Sequence, residues 1–179
     1  MDELTIRRTE PRDAEAIWAI IGPTIAAGET YALPRDMDQA DALAYWTGAD
    51  RETWVAEADG TVIGTYYLRV NQAGGGAHVA NCGYMSATAA TGRGVARRMC
   101  LHSLARAREV GFRAIQFNFV VSTNVRAVRL WEHLGFAIVG RLPAAFDHPT
   151  LGQVDALVMF QTLDAPAVVE CEIEIQHGD

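Results

Sequence analysis

Apolar and polar positions alternate with two different periods along the chain. A period of two over Leu4 to Arg8 predicts a first strand. Pro11 and acidic residues then open a helical stretch through Ile17, Trp18, Ile20 and Ile21, which Gly22-Pro23 is expected to interrupt. A second helical pattern covers Asp38 to Trp46. Thr53 to Glu57 and Val62 to Val70 read as strands on either side of Asp59-Gly60, a dipeptide suited to the positive φ angles of a tight hairpin. The glycine-rich loop Gln72 to Ala77 leads into a strand over His78 to Ser86.

In the second half, Val95, Met99, Cys100, Leu104 and Ala107 form a helical stripe within Gly94 to Val110, with Gly111 as terminator. Ile115, Phe117, Phe119 and Val121 alternate with Gln116 and Asn118, which predicts a strand with one more polar face. Ser122-Thr123-Asn124 offers capping side chains to a helix carrying Val128, Leu130, Trp131 and Leu134, closed by Gly135. Two further strands are expected near Phe136 to Arg141 and Val154 to Thr162. This order predicts an α/β (α+β) fold, a mixed sheet covered by helices, in one domain over residues 1–165. The acidic segment 166–179 alternates in part and is left as a late strand, a partner contact or a disordered tail.

Composition narrows the partners. A chain of 179 residues that is 50% apolar suits one compact core. Its net charge of -7 and lack of a basic run argue against a broad nucleic-acid surface and favour a small-molecule partner. No apolar run reaches the roughly 18 residues of a membrane span, and the start Met1-Asp2-Glu3 lacks a signal-peptide pattern, so a cytoplasmic protein is expected. Cys82, Cys100 and Cys171 lack the spacing of a metal site or a disulfide framework, and no metal is expected.

The candidate chemistry centres on Thr91-Gly92-Arg93-Gly94-Val95-Ala96, which follows a strand and opens a helix. Glycines there allow a tight turn whose free amides and helix dipole face an anion, and Arg93, Arg97 and Arg98 add positive charge. A plain turn before a helix would look the same. In the preceding strand, Asn81 and Gly83 point to one face and Cys82 to the other. Asn81 can hold an amine or a carbonyl, or make a structural hydrogen bond, but it cannot act as a base. Asn124 doubles as a helix cap, and His148 is expected in a loop bordering a pocket.

Over residues 4 to 163 the chain resembles the GCN5-related N-acetyltransferase superfamily. The resemblance rests on the glycine turn and on Asn124 with the run Ala127 to Phe136, which is similar to the signature Asn-x-x-Ala-x-x-Leu-Tyr-x-x-x-Gly-Phe. It implies a mostly antiparallel sheet with a splayed central strand pair that binds acetyl-CoA as acetyl donor. By the same resemblance, the backbone of Tyr84, Met85 and Ser86 would pair with pantetheine. Thr91, Gly92, Arg93, Gly94, Val95, Ala96 and Arg97 would hold the pyrophosphate, and Asn124 and Trp131 would border the cofactor.

Several positions depart from the pattern. Thr91 stands where Gln or Arg is usual, Ala96 where Gly is common, and Trp131 where a Tyr often protonates the leaving thiolate. The strand around Asn81 has no carboxylate where many relatives carry a Glu. This neighbourhood is similar to the branch containing yeast-type acetyltransferases of proline analogues such as azetidine-2-carboxylate, and that likeness makes Asn81 and Asn124 the catalytic candidates. The implied activity is acetyl-CoA-dependent N-acetylation by direct attack of a small amine, imine or amino-acid-like acceptor. A protein amino group as acceptor and a non-catalytic acyl-CoA-binding module remain the alternatives. Superfamily members often form homodimers. The acceptor pocket is expected from loops Gly28 to Arg35, Gly74 to Gly76 and Pro143 to Thr150.

Overall fold

Seven strands in the order β1-β2-β3-β4-β5-β7-β6 form a single mixed sheet in the computed structural model, which describes residues 4–163. The expectation for the tail 166–179 lies outside the described residues. The strands are β1 (Thr5–Arg8), β2 (Arg51–Ala58), β3 (Thr61–Val70), β4 (Val79–Ser86), β5 (Ala114–Val121), β6 (Ala137–His148) and β7 (Gly152–Thr162). All neighbours are antiparallel except β4 and β5. Asp59 and Gly60 turn the β2–β3 hairpin with φ of 50° and 72°.

Two apolar layers cover the sheet. On one face α1 (Ala14–Ala27) and α2 (Gln39–Trp46) bury Ile17, Ile20, Ile21, Ile25 and Trp46 against Val55, Tyr67 and Met85. On the other, α3 (Val95–Glu109) and α4 (Val125–His133) bury the stripe Val95, Met99, Cys100, Leu104 and Ala107 with Trp131 against Tyr66, Leu68 and Phe117. Trp46 is fully buried and its indole N–H donates to Thr65 Oγ1 at 2.9 Å, so the large ring leaves no orphan polar atom.

The expected break at Gly22-Pro23 does not occur. Helix α1 runs through it, with Pro23 exposed and Ile17, Ile20, Ile21 and Ile25 buried on both sides of it. An interior proline costs about 3 kcal/mol, whereas each buried isoleucine contributes about 1.5–3 kcal/mol, so burial decides. Gly22 meets the Trp18 ring, which would lie 3.0 Å from a Cβ there.

The last hairpin also differs from expectation. β6 continues past Arg141 to His148, and the segment expected to be a pocket loop is its distal half. Pro143 is tolerated because β6 is an edge strand that bulges between Leu142 and Phe146. Asp155 on β7 holds this bulge, accepting the Ala144 N–H at 2.9 Å and Arg141 Nη1 at 2.7 Å. His148 is buried beside Phe146 rather than placed in a loop.

Candidate active site

β4 and β5 pair only at Val79 with Ala114 and Ala80 with Ile115, and then part. At the first position beyond this pairing, Asn81 turns its side chain across, and its Nδ2 donates to the Gln116 carbonyl at 2.9 Å. The amide thus ties the strands where the ladder ends and leaves Oδ1 as its remaining acceptor. Gln116 Nε2 in turn donates to Asn118 Oδ1 at 2.8 Å, and Asn118 Nδ2 to Asn71 Oδ1 at 2.7 Å, which fixes the polar edge of β5.

Past the tie, β4 exposes backbone to the gap. The Ala87 N–H donates to Ile63 on β3, so odd-numbered residues of this stretch face β3 and even-numbered ones face away. Tyr84 and Ser86 therefore present their N–H and C=O groups to the gap. Met85 does not: its backbone is turned to β3 and its side chain is buried in the α1–α2 layer, which corrects the expectation that it pairs with a ligand there. The Tyr31 hydroxyl reaches the Tyr84 backbone, accepting the Tyr84 N–H and donating to the Tyr84 carbonyl, both at 2.8 Å.

Two cavities meet at this gap. One, of about 490 Å³, runs along Ser86, Thr91, Gly92, Gly94, Val95, Ala96 and Arg97 to Asn124 and Trp131. The other, of about 210 Å³, lies over Tyr45, Tyr67, Arg69, Asn81 and Gly83. Tyr84, Asn124, Ala127 and Trp131 line both, so a ligand lying in the first can reach a second molecule in the other.

The first cavity suits an extended phosphate-bearing thioester. Gly92 and Gly94 hold φ of 85° and 76°, a region costly for side chains, and nothing lies within 4 Å of a Cβ built on either, so their backbone stands open. Gly94 caps α3 without a side-chain hydrogen bond, and the first amides of a helix have no partner inside it, which leaves them for an anion. Arg93 is exposed at this turn, as is Arg97, which lines the cavity. Asn124 accepts the Ala127 N–H at 3.3 Å and so caps α4 at the junction. Acetyl-CoA fits this combination of anion cradle and open strand backbone.

The second cavity has one cation and, among the described residues, no Asp or Glu in its lining. Arg69 is half-buried, its Nε is buried without a hydrogen-bond partner, and Asp50 stands 3.7 Å from its Nη1. Tyr67 lies over Gly83, where a Cβ would fall 2.6 Å from its ring, so glycine there makes room for the phenol. Of the expected pocket loops, Thr30 to Leu33 line the cavity, while Gly74 to Gly76 and Pro143 to Thr150 contribute nothing among the described residues.

Several groups are removed from chemistry by their surroundings. Burial pushes the Cys82 thiol up to about 12, so it is an inert packing group and no acyl-carrying nucleophile. Burial also raises Tyr84, whose hydroxyl pairs with Ser103 Oγ at 2.6 Å on the α3 side, away from the gap. Tyr66 pairs with His102 Nδ1. Trp131 packs on Tyr84 and Phe117 with centroids at 5.0 and 5.3 Å. Nothing in the sequence spacing marks Tyr31 or Arg69, whereas Tyr67, like Tyr84 and Tyr66, is readable there as a candidate acid or a packing group.

Solved structures with this fold are numerous. A sequence model of the family described as "Acetyltransferase (GNAT) family" matches residues 18–136. A GCN5-related N-acetyltransferase from Kribbella flavida superposes with a TM-score of 0.85 at 44% identity, over 89% of this chain and 98% of that one. A phosphinothricin acetyltransferase from Sinorhizobium meliloti, in complex with acetyl-CoA, shares the fold with a TM-score of 0.78 at 19% identity, over 95% of this chain and 97% of that one. The N-acetyltransferase aca1 of Schizosaccharomyces pombe is 31% identical over 80 residues, which is 45% of this chain and only 38% of that relative. Because the family match covers well over half of the sequence, the chain belongs to the acetyltransferase (GNAT) family.

Proposed function

We propose that the protein transfers the acetyl group of acetyl-CoA to the nitrogen of a small, amino-acid-like amine or imine, as the proline-analogue acetyltransferases do. The observation that carries this reading is Arg69, a cation with an unpartnered Nε in a cavity whose described lining has no carboxylate and which joins the donor cleft at Tyr84. A carboxylate on the acceptor would meet that cation, and its nitrogen would then lie toward Asn81. A short volume of about 210 Å³ favours a metabolite over a folded protein's amino group.

In the proposed reaction the neutral acceptor nitrogen attacks the thioester carbonyl, forming the N–C bond while the C–S bond breaks. Asn81 Oδ1 accepts an N–H of the acceptor and orients its lone pair, and the Tyr84 N–H polarises the thioester oxygen. The ammonium proton passes to water or to the departing thiolate. A thiol with a pKa of about 8.5 leaves readily enough near neutral pH that Trp131, which has no acidic proton, need not be replaced by an acid. Asn124 holds the N-terminus of α4 at the junction and contacts the donor side.

Association into a homodimer is part of the same proposal. Exposed Ile138, Val139 and Leu142 on edge strand β6 support it, and a monomer in light scattering would remove it. The test of function is thiol release from acetyl-CoA against amino acids, proline analogues, polyamines and short peptides. Turnover confined to small carboxylate-bearing amines is the expected result. Reaction of peptides alone would replace the acceptor class, and tight acetyl-CoA binding without any turnover would favour a binding module.

A further inference from the structure

One hydroxyl in the gap is already placed as a ligand would be. Tyr31 stands in the connection between α1 and α2, and its hydroxyl lies 2.8 Å from both the nitrogen and the carbonyl oxygen of Tyr84. The Tyr84 backbone faces the gap between β4 and β5 and borders both cavities. The phenol ring is steadied edge-on by Trp46, with centroids 5.9 Å apart. The connection is anchored at its ends: Gly28 sits in the left-handed region under the Arg35 side chain, Arg35 Nε donates to the Ala26 carbonyl at 3.0 Å, and Asp38 caps α2. Between those anchors, Thr30, Tyr31, Ala32 and Leu33 form a wall of the acceptor cavity.

A backbone N–H donates one good hydrogen bond, so it cannot serve a phenol and a thioester oxygen together. The Tyr84 carbonyl, with two lone pairs, can accept a second donor beside the phenol, so the competition lies at the N–H. We infer that Tyr31 is a displaceable stand-in for the acetyl donor on β4, so that donor binding moves Tyr31 and with it the wall of the acceptor cavity. This rests on the reading that acetyl-CoA pairs with the Tyr84 backbone. It makes Tyr31 a positioning residue, acting through the wall.

The two roles open to the hydroxyl predict opposite signs. A stand-in competes with the donor, so its removal tightens binding; a group that holds the donor, or merely supports the fold, cannot do so. Tyr31→Phe keeps the ring and its contact with Trp46 and deletes the hydroxyl alone. Calorimetric titration of wild type and Tyr31→Phe with acetyl-CoA should give about three- to tenfold tighter binding in the variant, the size expected for one lost competing hydrogen bond of ordinary net strength. Adenosine 3′,5′-bisphosphate, which lacks the thioester arm, should bind both proteins equally. Unchanged or weaker acetyl-CoA binding in a variant that melts cooperatively overturns the inference, whereas a wild type that binds no acetyl-CoA overturns the underlying reading instead. If the variant does not fold, wild-type protein labelled with [13Cζ]tyrosine decides: acetyl-CoA must shift the assigned Tyr31 resonance while the bisphosphate leaves it in place, and an unmoved signal with acetyl-CoA overturns the inference.

Discussion

Asn81 Nδ2 lies 2.9 Å from the Gln116 carbonyl oxygen, one residue beyond the last β4–β5 pair. A side chain thus closes the ladder at the point where the strands part. The residue is 6% exposed, so losing this bond leaves a half-buried carbonyl without its partner. Asn81→Ala should therefore lower unfolding free energy by about 1–2 kcal/mol in denaturant titration. It should also reduce kcat/KM for the acceptor by tenfold or more, through loss of Oδ1. A stability loss with unchanged kcat/KM would reduce Asn81 to a strand tie.

The pH profile follows from which group loses a proton. No carboxylate lines the acceptor cavity among the described residues, burial pushes the thiol of the lining residue Cys82 up to about 12, and burial holds Tyr31 and Tyr67 in their protonated, hydrogen-bond-donating forms across the ordinary range. The acceptor must arrive neutral. Activity at subsaturating acceptor should rise about tenfold per pH unit below the acceptor's own pKa, and an acceptor of lower pKa should move the whole curve to lower pH. A plateau at one pH for every acceptor would instead point to a base on the protein.

Trp131 packs between Tyr84 and Phe117 and is 7% exposed. Trp131→Phe should cost about 1–2 kcal/mol of stability from lost ring volume while leaving kcat within about threefold. A collapse of kcat with normal acetyl-CoA binding would show that the indole does more than wall the site.

Asn124 separates its two roles by substitution. Asn124→Asp keeps an oxygen for the Ala127 N–H, while Asn124→Ala removes the cap and should cost about 1 kcal/mol. Equal acetyl-CoA binding in both variants would confine Asn124 to capping, and weaker binding in both would assign the amide a contact with the donor.

Away from the site, Arg7 grips Asp13 with two bonds of 2.7 and 2.9 Å, and the Glu10 N–H adds a third at 2.7 Å. The Arg7 bonds hold the Asp13 carboxyl below its ordinary value despite the opposing effect of burial. A lowered folded-state pKa means stability present above the ordinary carboxylate range and lost as pH falls through the depressed value. Asp13→Asn should destabilise by about 2 kcal/mol near neutral pH and flatten the acid limb of the thermal stability curve. An acid limb as steep as wild type would contradict this.

Much of the framework was readable before the structure because it rests on local chemistry. The stripe Val95, Met99, Cys100, Leu104 and Ala107 is buried as its spacing required, and Asp59-Gly60 makes its hairpin. The glycine turn ahead of α3 lines the larger of the two cavities. What stayed hidden depends on distant partners. Gly22-Pro23 looked like a break because the burial that overrides it comes from the sheet. Pro143 hid the second half of β6 because only its edge position makes it tolerable there. Tyr31 and Tyr84 are 53 residues apart, and a side-chain hydroxyl bonded to a remote peptide leaves no period or spacing behind. Arg69 is the penultimate residue of β3, where an arginine ordinarily faces solvent.

The most direct test of acetyl transfer to an anionic acceptor is a paired thiol-release assay, using one amino acid and its primary amide with acetyl-CoA, in wild type and Arg69→Gln. Wild type should turn over the acid at least tenfold better than the amide, each compared at the same fraction of neutral amine, and Arg69→Gln should erase that preference by slowing the acid alone. Equal rates for acid and amide in the wild type, or no thiol release with either across a broad acceptor panel, would contradict it.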